Sequence, residues 1–285
     1  SDGILFEDAV STVNATNPSH ASILTGLFPK DHGVLSNTQL LPEELVTVAE
    51  TFRAAGYRTV AAVGARHLNP RFSGFGQGFE QFLPCDPVMR RAEEVHEALF
   101  PVLEDLLAGD APVFLWVHYF DAHTPYDPPG RWKRAFEPPG DPKDPALGPT
   151  LLPGAHAGRL FLEGVTDPEW PLALYRGEMA YLDDQLGELL DLLGPKWRLA
   201  VTADHGEAMG ERGVYYDHVG LFPNTLHIPL ILAGPGIDRN RRIATPVNLS
   251  ALHDTLVAMG PGASATGPKG LLEQVVDPGV RFFQH

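Results

Sequence analysis

Cysteine is almost missing from this chain, with a single residue, Cys85, in 285. One thiol cannot close an internal disulfide, so the sequence leaves the redox compartment open. Long apolar runs are missing too. None approaches the roughly 20 residues that a spanning helix needs, so no membrane segment is expected in this chain. The opening Ser1-Asp2-Gly3-Ile4-Leu5-Phe6 lacks the basic start and apolar stretch of a signal peptide. Positive charge is scarce: 21 Lys and Arg against 36 Asp and Glu leave a net charge of −15 and a pI near 5.1. Such a balance argues against nucleic acid or anionic membrane as partner, since both select a basic face. It also means that a site for an anionic substrate must find its positive charge locally, and a bound metal would supply it.

What remains is ordinary globular composition, 44% hydrophobic and 20% charged, long enough for one large α/β domain. Apolar runs at Thr59–Val63, Val113–His118, Arg198–Ala203 and Ile228–Ala233 read as strands, short and apolar enough to be central and buried on both faces. Helical spacing predicts helices over Glu43–Ala55, ended by Gly56, then Val88–Leu107, Leu172–Leu193 and Leu249–Met259. In the third, Leu182, Leu186, Leu189 and Leu193 form the expected core stripe. Strands alternating with helices predict a mostly parallel sheet covered on both faces. Between Thr124 and Pro171 eleven prolines break the periodicity, which predicts a lid, binding loop or insertion. Ala263–Gly270 reads as flexible and Val280–Phe283 as strand-like. No internal repeat is visible.

Polar clusters collect at strand ends and before a short helix. Thr16-Asn17-Pro18-Ser19-His20 leads into a helix ended by Gly26. Thr16 is expected just ahead of the first turn, where unpaired N–H groups and the helix dipole favour an anion and an ionised hydroxyl. The alternative is an ordinary threonine cap. Asp204-His205-Gly206-Glu207 follows a strand and offers a carboxylate–imidazole pair suited to a divalent metal. His118 to Tyr126, containing Asp121 and His123, follows another strand, and Asp217-His218 precedes a fourth. In open α/β sheets ligands sit at such carboxyl ends.

Thr16 to Gly26, with Pro29 and His32-Gly33-Val34, resembles the nucleophile segment of the alkaline phosphatase and sulfatase superfamily. Asp204-His205-Gly206-Glu207 is similar to its late metal motif and Leu226–Pro235 to the strand that follows. His218, eleven residues before Pro229, takes the place of a site lysine or histidine, and Thr47–Phe82 resembles the family's second helix and strand. The resemblance implies a three-layer αβα sandwich of the alkaline phosphatase type and one catalytic domain over 1–285. That domain would begin after the family's first, aspartate-bearing strand and stop near the domain's end. Asp2 and Asp8 do not align with those aspartates.

Role by role, the resemblance implies Thr16 as nucleophile and metal ligand, and Asp204 and His205 as further ligands. His20 replaces the supporting arginine. His123 and His218 contact the transferred group and the leaving oxygen. His67 falls near a family histidine, although Ala65 replaces its lysine partner; His118 and Asp121 are secondary candidates. An imidazole ligand favours Mn²⁺ or Zn²⁺, with Ca²⁺ and Mg²⁺ as alternatives.

Family members with Cys or Ser at the nucleophile convert it to an aldehyde, which threonine cannot give. Cys85-Asp86-Pro87 begins like that modification motif, but Met89 stands where its arginine belongs. The expectation is therefore a metal-dependent hydrolase of phosphate diesters or phosphonate esters acting on a small anionic ester. Its rivals are a sulfuric ester hydrolase and a non-catalytic anion-binding domain. Oligomeric state is left open.

Overall fold

The computed structural model describes residues 3–151, 161–260 and 271. The expectations for Ala263–Gly270 and Val280–Phe283 lie outside the described residues, as does Asp2. In chain order the elements are β1 (Gly3–Val10), α1 (Thr16–Thr25), α2 (Pro29–His32), α3 (Val48–Ala54), β2 (Arg58–Val63), α4 (Pro70–Ser73), β3 (Gln81–Leu83), α5 (Ala92–Leu107) and β4 (Val113–His118). The second half holds α6 (Glu169–Leu193), β5 (Leu199–Thr202), β6 (Ala208–Met209), β7 (Tyr215–Asp217), α7 (Pro223–Leu226), β8 (His227–Ala233), β9 (Arg241–Ile243), β10 (Val247–Asn248) and α8 (Leu252–Met259).

The α/β layering and the predominance of parallel pairing match expectation. Among the described residues the strands form two main ladders and a small antiparallel pair, β6-β7, rather than one sheet. β3-β2-β4 is wholly parallel, whereas β10-β1-β8-β5 is mixed, because β8 runs antiparallel to both β1 and β5. β9 also pairs β1 in parallel. Alternation along β2 explains the layers. Val60 and Ala62 pack with Val95, Leu99 and Leu103 of α5 and Leu189 and Leu193 of α6. Val63, on the opposite face, packs with Ala21 and Leu24 of α1 and Phe52 of α3. Ile4, Phe6, Ile228, Leu230 and Leu232 bury themselves with Leu252 and Met259 of α8. Each such side chain contributes about 1.5–3 kcal/mol.

Several boundaries differ from expectation for identifiable reasons. α3 begins at Val48, not Glu43, because Thr47 and Glu50 close a capping box there. α5 begins at Ala92, not Val88: Met89 bridges to Ala65, and Glu94 reaches back to the N–H of Arg91. α6 begins three residues early, at Glu169. Its buried stripe is Tyr181, Gln185, Leu189 and Leu193, with Leu182 and Leu186 only half-buried.

The apolar strands β4 and β5 were expected in the middle of a sheet. Among the described residues each is the edge of its ladder, and every residue in both is only half-buried. Val113, Leu115 and Val117 of β4 and Leu199 of β5 nevertheless join one cluster under α5 and α6. The two edge strands therefore share one packed core.

The proline-rich stretch packs on α6. Tyr126 and Leu162 form a small core with Leu174 of α6 and Tyr216 of β7. Gly177 permits this approach, since a Cβ there would lie 2.6 Å from the Trp132 carbonyl and 2.8 Å from Pro128. Asp127 donates its N–H to Glu178 at 2.7 Å, and Arg131 pairs with Asp184 at 2.5 Å.

Candidate active site

Helix α1 buries nine of its ten residues although most are polar, a pattern that requires partners for each. The N-cap is Ala15, in extended conformation and without a side-chain cap bond, and Thr16 is the first helical residue, 3% exposed. This corrects two expectations: Thr16 is inside the helix rather than ahead of it, and it is not the cap. The free N–H groups expected there are also reduced. Asn17 donates its N–H to Asn37 Oδ1 at 2.8 Å, and Pro18 has none. Asn17 Nδ2 goes on to the carbonyls of Asn37 and His67, at 3.2 and 3.1 Å, which seats the helix beside the turn carrying His67.

The helix is also clasped to the end of β5. Ser19 Oγ donates to the Asp204 carbonyl at 2.6 Å, and Ser11 Oγ donates to the same oxygen. His20 Nδ1 donates to the Thr16 carbonyl at 2.9 Å and stands 3.8 Å from Asp204 Oδ2. Asp204 turns its other oxygen to the N–H of His205 at 3.0 Å, while His205 Nε2 is 3.5 Å from Oδ2. Gly206 lets this loop lie against α7. Its N–H bonds the Thr225 carbonyl at 2.9 Å, and a Cβ would sit 2.2 Å from the Asn224 carbonyl.

The imidazoles form a continuous group around Asp204. The His20 and His118 rings are 5.2 Å apart, His205 and His218 4.2 Å, and His218 and His123 5.5 Å. Phe120 stacks on His123 at 4.4 Å and meets His67 edge-on at 6.2 Å. Four rings spend Nδ1–H on a carbonyl: His20 on Thr16 at 2.9 Å, His123 on Thr124 at 2.6 Å, His205 on Gly206 at 2.9 Å, His218 on Asn14 at 2.7 Å. A carbonyl only accepts, so in each neutral ring Nε2 keeps the lone pair. His118 Nδ1 and His67 Nε2 are buried without a hydrogen-bond partner.

Burial disfavours charge on four of these rings. It lowers His118 to about 3 and His67 to about 4, in both cases with His20 as the next cause, and it lowers His20 and His123 as well. Burial works in the opposite sense on Asp204, yet His205, His20 and His118 outweigh it and hold the carboxyl below the usual range.

Asp121 lies apart from this group. Its Oδ1 accepts the Ala92 N–H at 3.1 Å at the start of α5, and burial raises its pKa. Thr16, His20, His67, His118, His123, Asp204, His205 and His218 are thus brought to one place. Ser11, Asn14, Ser19 and Asn37, which hold them, were not singled out from sequence. Glu207 lies against Tyr126 and Tyr175, whose hydroxyls are raised by burial and then by the Glu207 charge.

A carboxylate ringed by imidazoles and clasped to the helix that carries Thr16 is a candidate catalytic constellation. The sulfatase family model matches residues 1–262, and the chain belongs to the sulfatase family. It is 27% identical to an ulvan-active sulfatase of Formosa agariphila, over 90% of this chain and 55% of that protein. It is 22% identical to the uncharacterized sulfatase YidJ of Escherichia coli, over 90% of this chain and 61% of that protein. The chain therefore spans little more than half the length of these relatives. Among solved structures, a phosphonate monoester hydrolase from Silicibacter pomeroyi superposes with a TM-score of 0.72 at 20% identity, covering 99% of this chain and 71% of that one. BT4656, solved with D-glucosamine-2-N,6-O-disulfate, gives 0.71 at 17% identity, with coverage of 98% and 74%.

Proposed function

We propose that this chain forms the catalytic body of a metal-dependent hydrolase of phosphate diesters or phosphonate esters, with Thr16 as nucleophile. The observation that carries the reading is Thr16 itself. It is buried at the head of α1 with no capping duty, on a helix bonded to the residue that carries the site's carboxylate.

Dependence on a divalent cation is general in this family. The residues here fit such an ion in part. Asp204 Oδ2 and His205 Nε2 stand 3.5 Å apart, a spacing at which a cation would serve both as ligands. Among the described residues no group of three His, Cys, Asp or Glu side chains is placed to hold a metal ion, so the Thr16 hydroxyl would be the third donor. When bound, such an ion lowers the pKa of a coordinated hydroxyl and neutralises charge on the substrate's oxygens. The imidazole donor favours Mn²⁺ or Zn²⁺.

Thr16 Oγ releases its proton to solvent and attacks phosphorus, and the bond to the leaving oxygen breaks. The proton on Nε2 of protonated His218 passes to that oxygen. His123, beside His218, contacts the transferred group. Water then attacks phosphorus and returns the hydroxyl to Thr16. Burial keeps His20 uncharged where an arginine would be permanently cationic, which favours a singly charged diester over a dianionic monoester. A second reading, sulfate ester hydrolysis, is favoured by the curated relatives, which are named sulfatases.

Turnover of bis(4-nitrophenyl) phosphate and 4-nitrophenyl sulfate, with and without chelator, tests the reading. The phosphodiester should be the faster substrate and chelator should stop it; faster sulfate cleavage would reverse the preference. Thr16→Ala should lose turnover and Thr16→Ser should keep it. Full activity in Thr16→Ala would refute the nucleophile.

A further inference from the structure

The five residues between β1 and α1, Ser11-Thr12-Val13-Asn14-Ala15, form no regular element, yet they hold two site residues from the far end of the chain. Ser11 binds the Asp204 carbonyl. Three residues later Asn14 grips His218 twice. Its carbonyl accepts the Nδ1 proton of His218 at 2.7 Å, and its side-chain amide donates to the carbonyl of His218. One bond fixes the ring and the other fixes the backbone that carries it. Rotating the imidazole breaks the first, and sliding the loop breaks the second.

We propose that Asn14 is a positioning residue that aims His218. With Nδ1 committed to Asn14, whatever His218 does for a substrate is assigned to Nε2, on a ring that lies 4.2 Å from that of His205 and 5.5 Å from that of His123. The proposal rests on the reading of His218 as the group beside the leaving oxygen. During transfer, the Nε2 proton of the imidazolium moves to that oxygen, and the ring ends neutral with its Nδ1 proton still on Asn14. The accepting carbonyl belongs to the main chain and any residue would provide it. The amide is what asparagine adds, and it keeps that carbonyl in register with the ring.

The test uses the 285-residue chain and two aryl phosphonate esters that differ only in leaving group, phenyl and 4-nitrophenyl. Phenoxide needs a proton as it departs, and nitrophenoxide hardly does. Asn14→Ala should lower kcat on the phenyl ester at least about tenfold, part of the roughly 10²–10⁴ that a positioned acid contributes. The nitrophenyl ester should lose much less, and Asn14→Ala should add nothing in a His218→Ala background. Imidazole ¹⁵N spectra should show His218 with its proton on Nδ1, and Asn14→Ala should lose that single tautomer. Asn14→Asp, of the same shape but with an oxygen where the donor was, should repeat both results if Asn14→Ala does not fold. Equal losses on the two esters, a full further loss without His218, or an unchanged tautomer would each overturn the proposal. If the unaltered chain cleaves neither ester, the hydrolase reading fails, while the nitrogen spectra still decide what Asn14 does to His218.

Discussion

Glu178 sits on the inner face of α6, 5% exposed, and accepts the N–H of Asp127 from the proline-rich stretch. Burial lifts its carboxyl from an ordinary 4.5 to about 7. The Asp127 N–H and Arg91 oppose that rise, and Asp121 adds to it. At about 1.4 kcal/mol per pH unit, ionising this group costs the folded state roughly 3 kcal/mol. Because the folded form binds the proton more tightly than the unfolded chain, the contribution is complete below 4.5. It declines as pH rises and is gone above about 7. Glu178→Gln keeps an acceptor oxygen for Asp127 and removes the titration. Urea unfolding is the assay. The stability advantage of the variant over the parent should grow by roughly 2–3 kcal/mol between about pH 5 and about pH 8.5. Glu178→Leu, which also removes the titration but leaves the Asp127 N–H unpaired, should lie about 1–3 kcal/mol below Glu178→Gln at every pH. Parallel pH–stability curves for Glu178→Gln and the parent would refute the claim that the folded protein holds this proton.

Gly206→Ala places a Cβ 2.2 Å from the Asn224 carbonyl, so Asp204 and His205 must move. A displacement near 1 Å should cost about 10²-fold in turnover, read in the same ester assay. Thr47→Ala removes the hydroxyl that accepts the Glu50 N–H and should cost about 1 kcal/mol in urea unfolding with turnover unchanged.

Some of this was legible in the chain because the signal was local. Val113–His118 is a strand in both readings, since a short apolar run ending in polar residues has few other forms. His118, His123, His205 and His218 were legible because each lies at the end of, or close to, a strand. Of the stripe expected on α6, Leu189 and Leu193 are buried, but its first half runs through Tyr181 and Gln185 instead of Leu182 and Leu186, for a physical reason. The helix's buried side carries Glu178 and Gln185, and a hydrophobic stripe discounts the polar residues that a packed insertion can satisfy. The cap reading of Thr16 failed because Ala15, with no side-chain acceptor, occupies the cap and the first turn is satisfied from Asn37. Nothing local distinguishes Asn14 or Ser11 from any polar loop residue. The half-burial of β4 and β5 depends on which strands pair beside them, and no run of six residues encodes that.

The clasps that build the site join residues very far apart in the chain: Ser19 to Asp204 across 185 positions and Asn14 to His218 across 204. β1 pairs with β8 over a similar span. Contacts of such separation close late, because the entropy of bringing distant segments together must be met before the contact repays it. While the chain emerges from the ribosome, Thr16 and its helix are made early, but neither Asp204 nor His218 exists to meet them. Neither of these two clasps can form until Asp204 or His218, respectively, has been made. Catalytic competence therefore reports on completed folding, and any lesion that delays the pairing of β1 with β8 silences the site without touching one of its histidines.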